Sequence, residues 1–100
     1  RVLDQSPATA EILEDIVEAV GGSMKIFVDG GIRSGVDVFK ALALGADAVL
    51  IARPYVVATY GGGKAGIAAY TEKIGAELAD TMAMCGAGSL EEITRNMICK

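Results

Sequence analysis

Lys25-Ile26-Phe27-Val28-Asp29-Gly30-Gly31-Ile32-Arg33-Ser34-Gly35 is the stretch on which the fold turns. Residues 25–28 are rich in β-formers, do not alternate, and are too few for a helix, which suits a strand buried on both faces of a parallel sheet. Asp29-Gly30-Gly31 ends that run. Ser34 then predicts an N-cap for a helix from Gly35 to Leu44, with Asp37 in its first turn and Gly45 just past its end. This helix is apolar nearly all round: Val36, Val38, Phe39, Ala41, Leu42, Ala43 and Leu44. A second strand of the buried kind, Ala46 to Ala52, stops at Arg53-Pro54, because Pro cannot continue a central ladder. Strand, helix, strand in this order predicts a right-handed βαβ unit with parallel strands, and so an α/β fold.

Working outward, Ser6-Pro7 predicts the start of an earlier helix, with Ser6 as N-cap and Pro7 at the first helical position. Ile12, Leu13, Ile16, Val17 and Val20 give it an apolar stripe, Glu11, Glu14, Asp15 and Glu18 a solvated face, and Gly21-Gly22 an end. Downstream, Tyr55 to Tyr60 is expected to form one helical turn and Gly61-Gly62-Gly63 a flexible break. A long helix is expected from Lys64 to Met84, with Ile67, Tyr70, Ile74, Leu78 and Met82 on one face. Ser89-Leu90-Glu91-Glu92 reads as a capping box opening a final helix to Ile98. No repeat or linker divides the chain, so residues 1–100 are expected to be a single domain.

Composition narrows the chemistry. Of 100 residues, 52% are hydrophobic, which is enough for a packed core, and the net charge is −4. A basic footprint for nucleic acid or an anionic membrane is missing. No apolar run approaches the roughly 18 residues of a membrane span. The sequence has no His, so it holds no Ser-His or Cys-His nucleophile pair. Cys85 and Cys99 form no CxxC pair and have no His partner, so no zinc site is expected. They read as buried or half-buried reduced thiols of a cytoplasmic protein. The chain starts at Arg1 rather than Met, as expected of a chain cut or processed from something longer.

Both strands end in segments that could hold an anion. Asp29-Gly30-Gly31-Ile32-Arg33-Ser34-Gly35 follows the first and Ala52-Arg53-Pro54 the second, at the same carboxyl edge of a parallel sheet. Each offers glycine-exposed or terminal backbone N–H groups, a helix N-terminus and a guanidinium that can give phosphate two parallel hydrogen bonds. A lone Asp-Gly-Gly is common, and the alternative is two tight turns with solvated arginines. Two adjacent turns, each bearing Arg, make the stronger pattern.

These residues carry a family resemblance over nearly the whole chain. Asp29 to Gly35, Lys40-Ala-Leu-Ala-Leu-Gly-Ala46 and Ala52-Arg-Pro54 resemble the end of an FMN-dependent α-hydroxy acid oxidase or dehydrogenase, the family of glycolate oxidase, lactate oxidase and L-lactate dehydrogenase. Arg1-Val-Leu-Asp4 resembles the tail of that family's S-N-H-G-(A/G)-R-x-L-D segment, and Pro7-Ala8-Thr9, Gly66 onward and Met84-Cys85-Gly86 to Ile93 also fit. The central motif is shared with type 2 isopentenyl diphosphate isomerase, inosine monophosphate dehydrogenase and glutamate synthase. The Arg-x-Leu-Asp start favours hydroxy acid oxidation.

The resemblance implies the carboxyl-terminal fragment of a (βα)8 TIM barrel, its last two βα units plus the preceding helix. It implies FMN as cofactor, with the phosphate grip on Asp29, Gly31, Arg33 and Arg53, backbone from Gly30, and Ala52 where the family has glycine. The substrate-carboxylate arginine falls on Arg1, and the catalytic His would lie three positions before it. The implied reaction takes a 2-hydroxy acid to a 2-keto acid, with the fragment inactive alone. Two alternatives are the end of an isoprenoid diphosphate isomerase and a non-enzymatic module that binds a phosphate ester. Because two apolar parallel strands expect cover on both faces and neighbours on both edges, a homo-oligomer is also expected.

Overall fold

Two short runs of β-formers and three helical stretches, the last broken at Gly63, account for almost all of the regular structure in the computed structural model, which describes residues 4–99. The order is α1 (Thr9–Val20), β1 (Phe27–Asp29), α2 (Gly35–Ala43), β2 (Ala48–Leu50) and α3 (Arg53–Cys85), followed by 3₁₀ turns at Leu90–Glu92 and Arg95–Met97. The strands pair in parallel, with Phe27 opposite Ala48, Val28 opposite Val49 and Asp29 opposite Leu50. The expected βαβ unit is therefore present, with α2 as the crossover.

Asp47 fixes this register at the amino edge of the sheet. Its carboxylate accepts the Ile26 N–H at 2.8 Å, and its own N–H donates to the Ile26 carbonyl at 2.8 Å. Side chains alternate across a strand. Val28 is buried, and Val49 packs with it against Leu13, Ile32, Val38 and Ala41. On the other face Phe27 is 63% exposed and Leu50 50%. Burial on both faces, expected from the non-alternating sequence, is thus realised on one face only among the described residues.

The near-uniform apolarity of α2 has a direct structural reason. Val38 and Ala41 join the cluster under the sheet, while Phe39 and Ala43 turn the other way into a second cluster with Ala87 and Ile93. Phe39, 2% exposed, is the largest fully buried side chain. Ser34 caps the helix as expected, its hydroxyl accepting the Asp37 N–H at 3.2 Å.

Several boundaries differ from expectation. The N-cap of α1 is Ala8, so Ser6 and Pro7 precede the helix. Glu11 takes the Ala8 N–H at 3.0 Å, and this carboxylate bond sets the start. Helix α3 begins at Arg53 and runs through Gly61 and Gly62, so the break is confined to Gly63 at φ 55°, ψ −136°. That backbone region is almost closed to residues with a Cβ. The expected final helix is replaced by the two 3₁₀ turns. Glu92 binds the Gly88 N–H at 2.7 Å, one residue before the expected cap, and Ile93 is extended. Arg95 meets Glu14 of α1 at 2.9 Å, holding this segment down. Cys85 and Cys99 are both exposed, not buried or half-buried, because the first ends α3 and the second follows the last turn.

A close approach between α2 and α3 lies at Gly35. A Cβ there would overlap the Leu78 backbone nitrogen and come within 2.5 Å of Glu77 Cβ and 2.6 Å of the Ile74 carbonyl oxygen. We expect Gly35→Ala to destabilise the chain by about 1–3 kcal/mol or more, since backbone atoms must move. Gly75, inside α3 with nothing within 4 Å of its would-be Cβ, is the control. Gly75→Ala should stabilise by roughly 0.5–1 kcal/mol through helix propensity. Urea denaturation of the two variants reads both signs, and a neutral Gly35→Ala would contradict the packing.

Glu77 completes the same contact. One oxygen accepts the Gly35 N–H at 3.0 Å and the other the Lys73 ammonium at 2.9 Å. The backbone bond first, and Lys73 second, hold its carboxyl below the ordinary value of 4.5. A carboxyl with a lowered folded value contributes its stability fully above the unfolded value and loses it as pH falls through the folded one. Stability should therefore decline as the medium is acidified below about pH 4.5, and Glu77→Gln should flatten that decline. Denaturation midpoints between neutral and acid pH check this, with an unchanged profile counting against the assignment.

Candidate functional site: an anion cleft at the carboxyl edge of the sheet

The turn after β1 is built from two glycines at positive φ, Gly30 at 103° and Gly31 at 75°. Side chains rarely tolerate such backbone, so the sequence can reverse here only with glycine. Thr9, the first residue of α1, closes the turn from outside by donating its hydroxyl to the Asp29 carbonyl at 2.7 Å. A Cβ on Gly30 would press on that hydroxyl at 3.3 Å, whereas one on Gly31 would meet nothing within 4 Å. The turn thus has one braced side and one open side.

The open side belongs to a cleft of about 320 Å³ lined by Asp29, Gly30, Gly31 and Arg33 from the first loop and Leu50, Ala52 and Arg53 from the second. All six cofactor-site residues expected from the sequence line this one cleft. Ala52 adopts φ −117°, ψ −72°, a negative φ, so its backbone is not of the left-handed kind that calls for glycine. Arg1 lies outside the described residues.

The helix N-terminus contributes less than expected. Carboxylates and a hydroxyl of the chain itself take the backbone donors there. The Arg33 N–H goes to Asp37 at 3.0 Å, the Gly35 N–H to Glu77 at 3.0 Å and the Asp37 N–H to Ser34 Oγ at 3.2 Å. The glycine turn and the two guanidinium groups stay on the cleft side. Two cations and one carboxylate, Asp29, leave the lining net positive. Such a donor set fits a phosphate monoester, with the arginines taking the oxyanion and Asp29 able only to accept, from a hydroxyl for example.

Sequence reasoning missed the residues that hold this lining in place. Tyr70 donates to the Arg33 carbonyl at 2.6 Å across 37 positions of sequence, and Thr9 reaches Asp29 across 20. Burial pushes the Tyr70 phenol above its ordinary value of 10.0, with Lys73 opposing, so the hydroxyl remains a donor at neutral pH. Glu77 was equally invisible. Only Asp37 carried a local signal, three residues after the Ser34 cap.

Comparison with known proteins gives this geometry a relation. The sequence model of the FMN-dependent dehydrogenase family matches residues 1–100. Peroxisomal (S)-2-hydroxy-acid oxidase GLO4 of Oryza sativa subsp. japonica is 49% identical over 98 residues, 98% of this chain and 27% of the relative. Glycolate oxidase 1 of Zea mays is 48% identical over the same shares. The chain thus spans about a quarter of the length of these relatives. A crystal structure of mandelate oxidase with benzoyl-formic acid superimposes with a TM-score of 0.91 at 43% identity, covering 95% of this chain and 28% of that one. Another mandelate oxidase structure contains an FMN adduct.

The expected cytoplasmic location is overturned by relatives of Oryza sativa and Arabidopsis thaliana whose names place them in the peroxisome. Targeting to that organelle depends on short receptor-read signals that composition does not report. With residues 1–100 matched and its two arginine-bearing loops in one cleft, the chain belongs to the FMN-dependent dehydrogenase family.

Proposed function

We propose that these 100 residues are the carboxyl-terminal part of a (βα)8 barrel enzyme that oxidises 2-hydroxy acids, and that they supply the half-site for the FMN phosphate. One observation carries the reading: Arg33 and Arg53, borne on successive βα loops, line one cleft at the carboxyl edge of two parallel strands. In barrels of this class the loops after the last two strands form the recurrent phosphate site.

The open surfaces of the fold support the barrel. Phe27 and Leu50 on the bare sheet face would point into a barrel interior, and both sheet edges would gain strands. Ile12 and Ile16, a one-turn pair on α1 at 38% and 40% exposure, would face the next helix of the ring. We propose accordingly that residues 1–100 form one incomplete domain. For the chain alone we expect self-association through the same surfaces.

In this reading Arg33 and Arg53 hold the phosphate by paired, charge-assisted hydrogen bonds, and the Gly30-Gly31 turn admits it without a Cβ in the way. Asp29 accepts from hydroxyl groups of the cofactor's chain. Bound FMN would supply the two-electron acceptor that turns a 2-hydroxy acid into a 2-keto acid. Arg1 is proposed, on the resemblance alone, as the fork that pins the substrate carboxylate. The sequence has no His, so the base that takes the substrate proton would come from outside these residues. The curated relatives reported above are hydroxy-acid oxidases, and the isomerase and non-enzymatic alternatives find no support among them.

In the full-length enzyme, Arg53→Ala should weaken FMN binding by about 1.5–3 kcal/mol, the scale of hydrogen bonds to a charged group. Riboflavin, which lacks the phosphate, should bind as before. Flavin fluorescence titration measures both, and equal weakening of the two would refute a phosphate role. The 100-residue chain with FMN and a panel of 2-hydroxy acids should yield no peroxide. General base catalysis typically contributes about 10²–10⁴ in rate, and the chain has no His to provide it. Flavin-dependent turnover by the chain alone would overturn the assignment of the base.

A further inference from the structure

Neither Tyr70 nor Tyr55 lines the anion cleft, yet together they connect its two arginine-bearing loops. The Tyr70 hydroxyl donates to the Arg33 carbonyl at 2.6 Å. Its ring meets the Tyr55 ring edge-on, with centroids 4.9 Å apart and planes at 85°. Tyr55 follows Arg53 by two residues in the first turn of α3. The direction of the remaining bond can be deduced. The Tyr55 hydroxyl lies 2.7 Å from Thr71 Oγ1, and Thr71 Oγ1 itself donates to the Ile67 carbonyl at 2.9 Å. A threonine hydroxyl has a single proton, so Tyr55 is the donor and Thr71 the acceptor. Both tyrosine protons are then directed, one across the Gly63 break to the second segment of α3 and one at the loop.

We propose that Tyr70, braced by Tyr55, is a positioning residue for the phosphate site. It ties the Arg33 peptide to the second segment of α3, which the Tyr55 ring and hydroxyl join across the Gly63 break to the segment that starts at Arg53, and so fixes the separation at which the two guanidinium groups are presented. The inference rests on the phosphate reading above. Its physical basis is preorganisation. Arg33 and Arg53 are exposed, and an exposed arginine loses side-chain freedom on binding unless its backbone is already placed. A purely structural role is the weaker account of this bond. Tyr70 is only half-buried, belongs to neither hydrophobic cluster, and sends its hydroxyl to the loop carbonyl rather than into the core.

The test uses the full-length protein and removes one oxygen. Tyr70→Phe keeps the ring contact with Tyr55 and deletes the bond to Arg33. The Kd for FMN should rise about two- to tenfold, the factor that one neutral hydrogen bond commands, while the Kd for riboflavin stays constant. In an Arg33→Ala background the same substitution should add nothing. An unchanged FMN Kd, equal losses for FMN and riboflavin, or full additivity with Arg33→Ala would each overturn the proposal. Should Tyr70→Phe impair folding, Thr71→Val removes the acceptor that orients Tyr55. A higher FMN Kd at constant riboflavin Kd again supports the coupling, and an unchanged ratio overturns it. If Arg33→Ala and Arg53→Ala themselves leave the FMN-to-riboflavin ratio unchanged, the phosphate reading fails and this inference with it. If the arginines matter and both lesser variants are silent, only the coupling fails.

Discussion

The close approach of Gly35 to α3 is the contact on which the rest of the arrangement depends. With no Cβ, the first residue of α2 sits against the backbone of residues 74–78. That distance lets Glu77 reach the Gly35 N–H, and it draws the Arg33 peptide within reach of Tyr70. The loop's orientation is therefore set by a helix far along the chain rather than by the loop's own sequence. The core follows the same geometry, because α2 at this distance can place Phe39 on one side and Val38 on the other.

Much of this architecture was legible in the sequence because its causes are local. A non-alternating apolar run, a glycine pair, a Ser cap and a Pro stop each act within a few residues, and they sufficed for the βαβ unit and for the two loops of the cleft, while the choice of six residues within them came from the family resemblance. Three kinds of cause escaped. Long-range bonds such as Thr9 to Asp29 have no local signature. Competing partners shift boundaries, as when Glu11 binds at Ala8 and moves the helix start past Ser6 and Pro7. A non-alternating strand also cannot say how many of its faces are covered, and here β1 covers one. The cellular compartment escaped for a different reason, since its signal is read by a receptor and has no bearing on packing.

The donors of the cleft are not where a glycine-rich loop at a helix start first suggests. Glycine-rich turns at helix starts commonly bind phosphate through main-chain N–H groups. Here Asp37, Glu77 and Ser34 take several of those donors for the loop's own support. The positive character of the cleft then comes mainly from side chains, which makes Arg33 and Arg53 the groups that distinguish this lining from an ordinary βα turn. Rigidity falls to main-chain donors held by Asp37, Glu77 and Ser34, and the positive charge to the side chains of Arg33 and Arg53.

Asp47 lies at the opposite end of the strands from all of this. By holding Ile26 through both a donor and an acceptor, it sets the pairing of β1 and β2 at the end away from their cleft loops. A sheet whose alignment is secured at one end leaves the other end free to diverge. Over evolutionary time, loop residues such as Ala52 can be exchanged, lengthened or recharged without slipping the strands beneath them. One sheet framework can then carry different sites by changes at its upper rim alone.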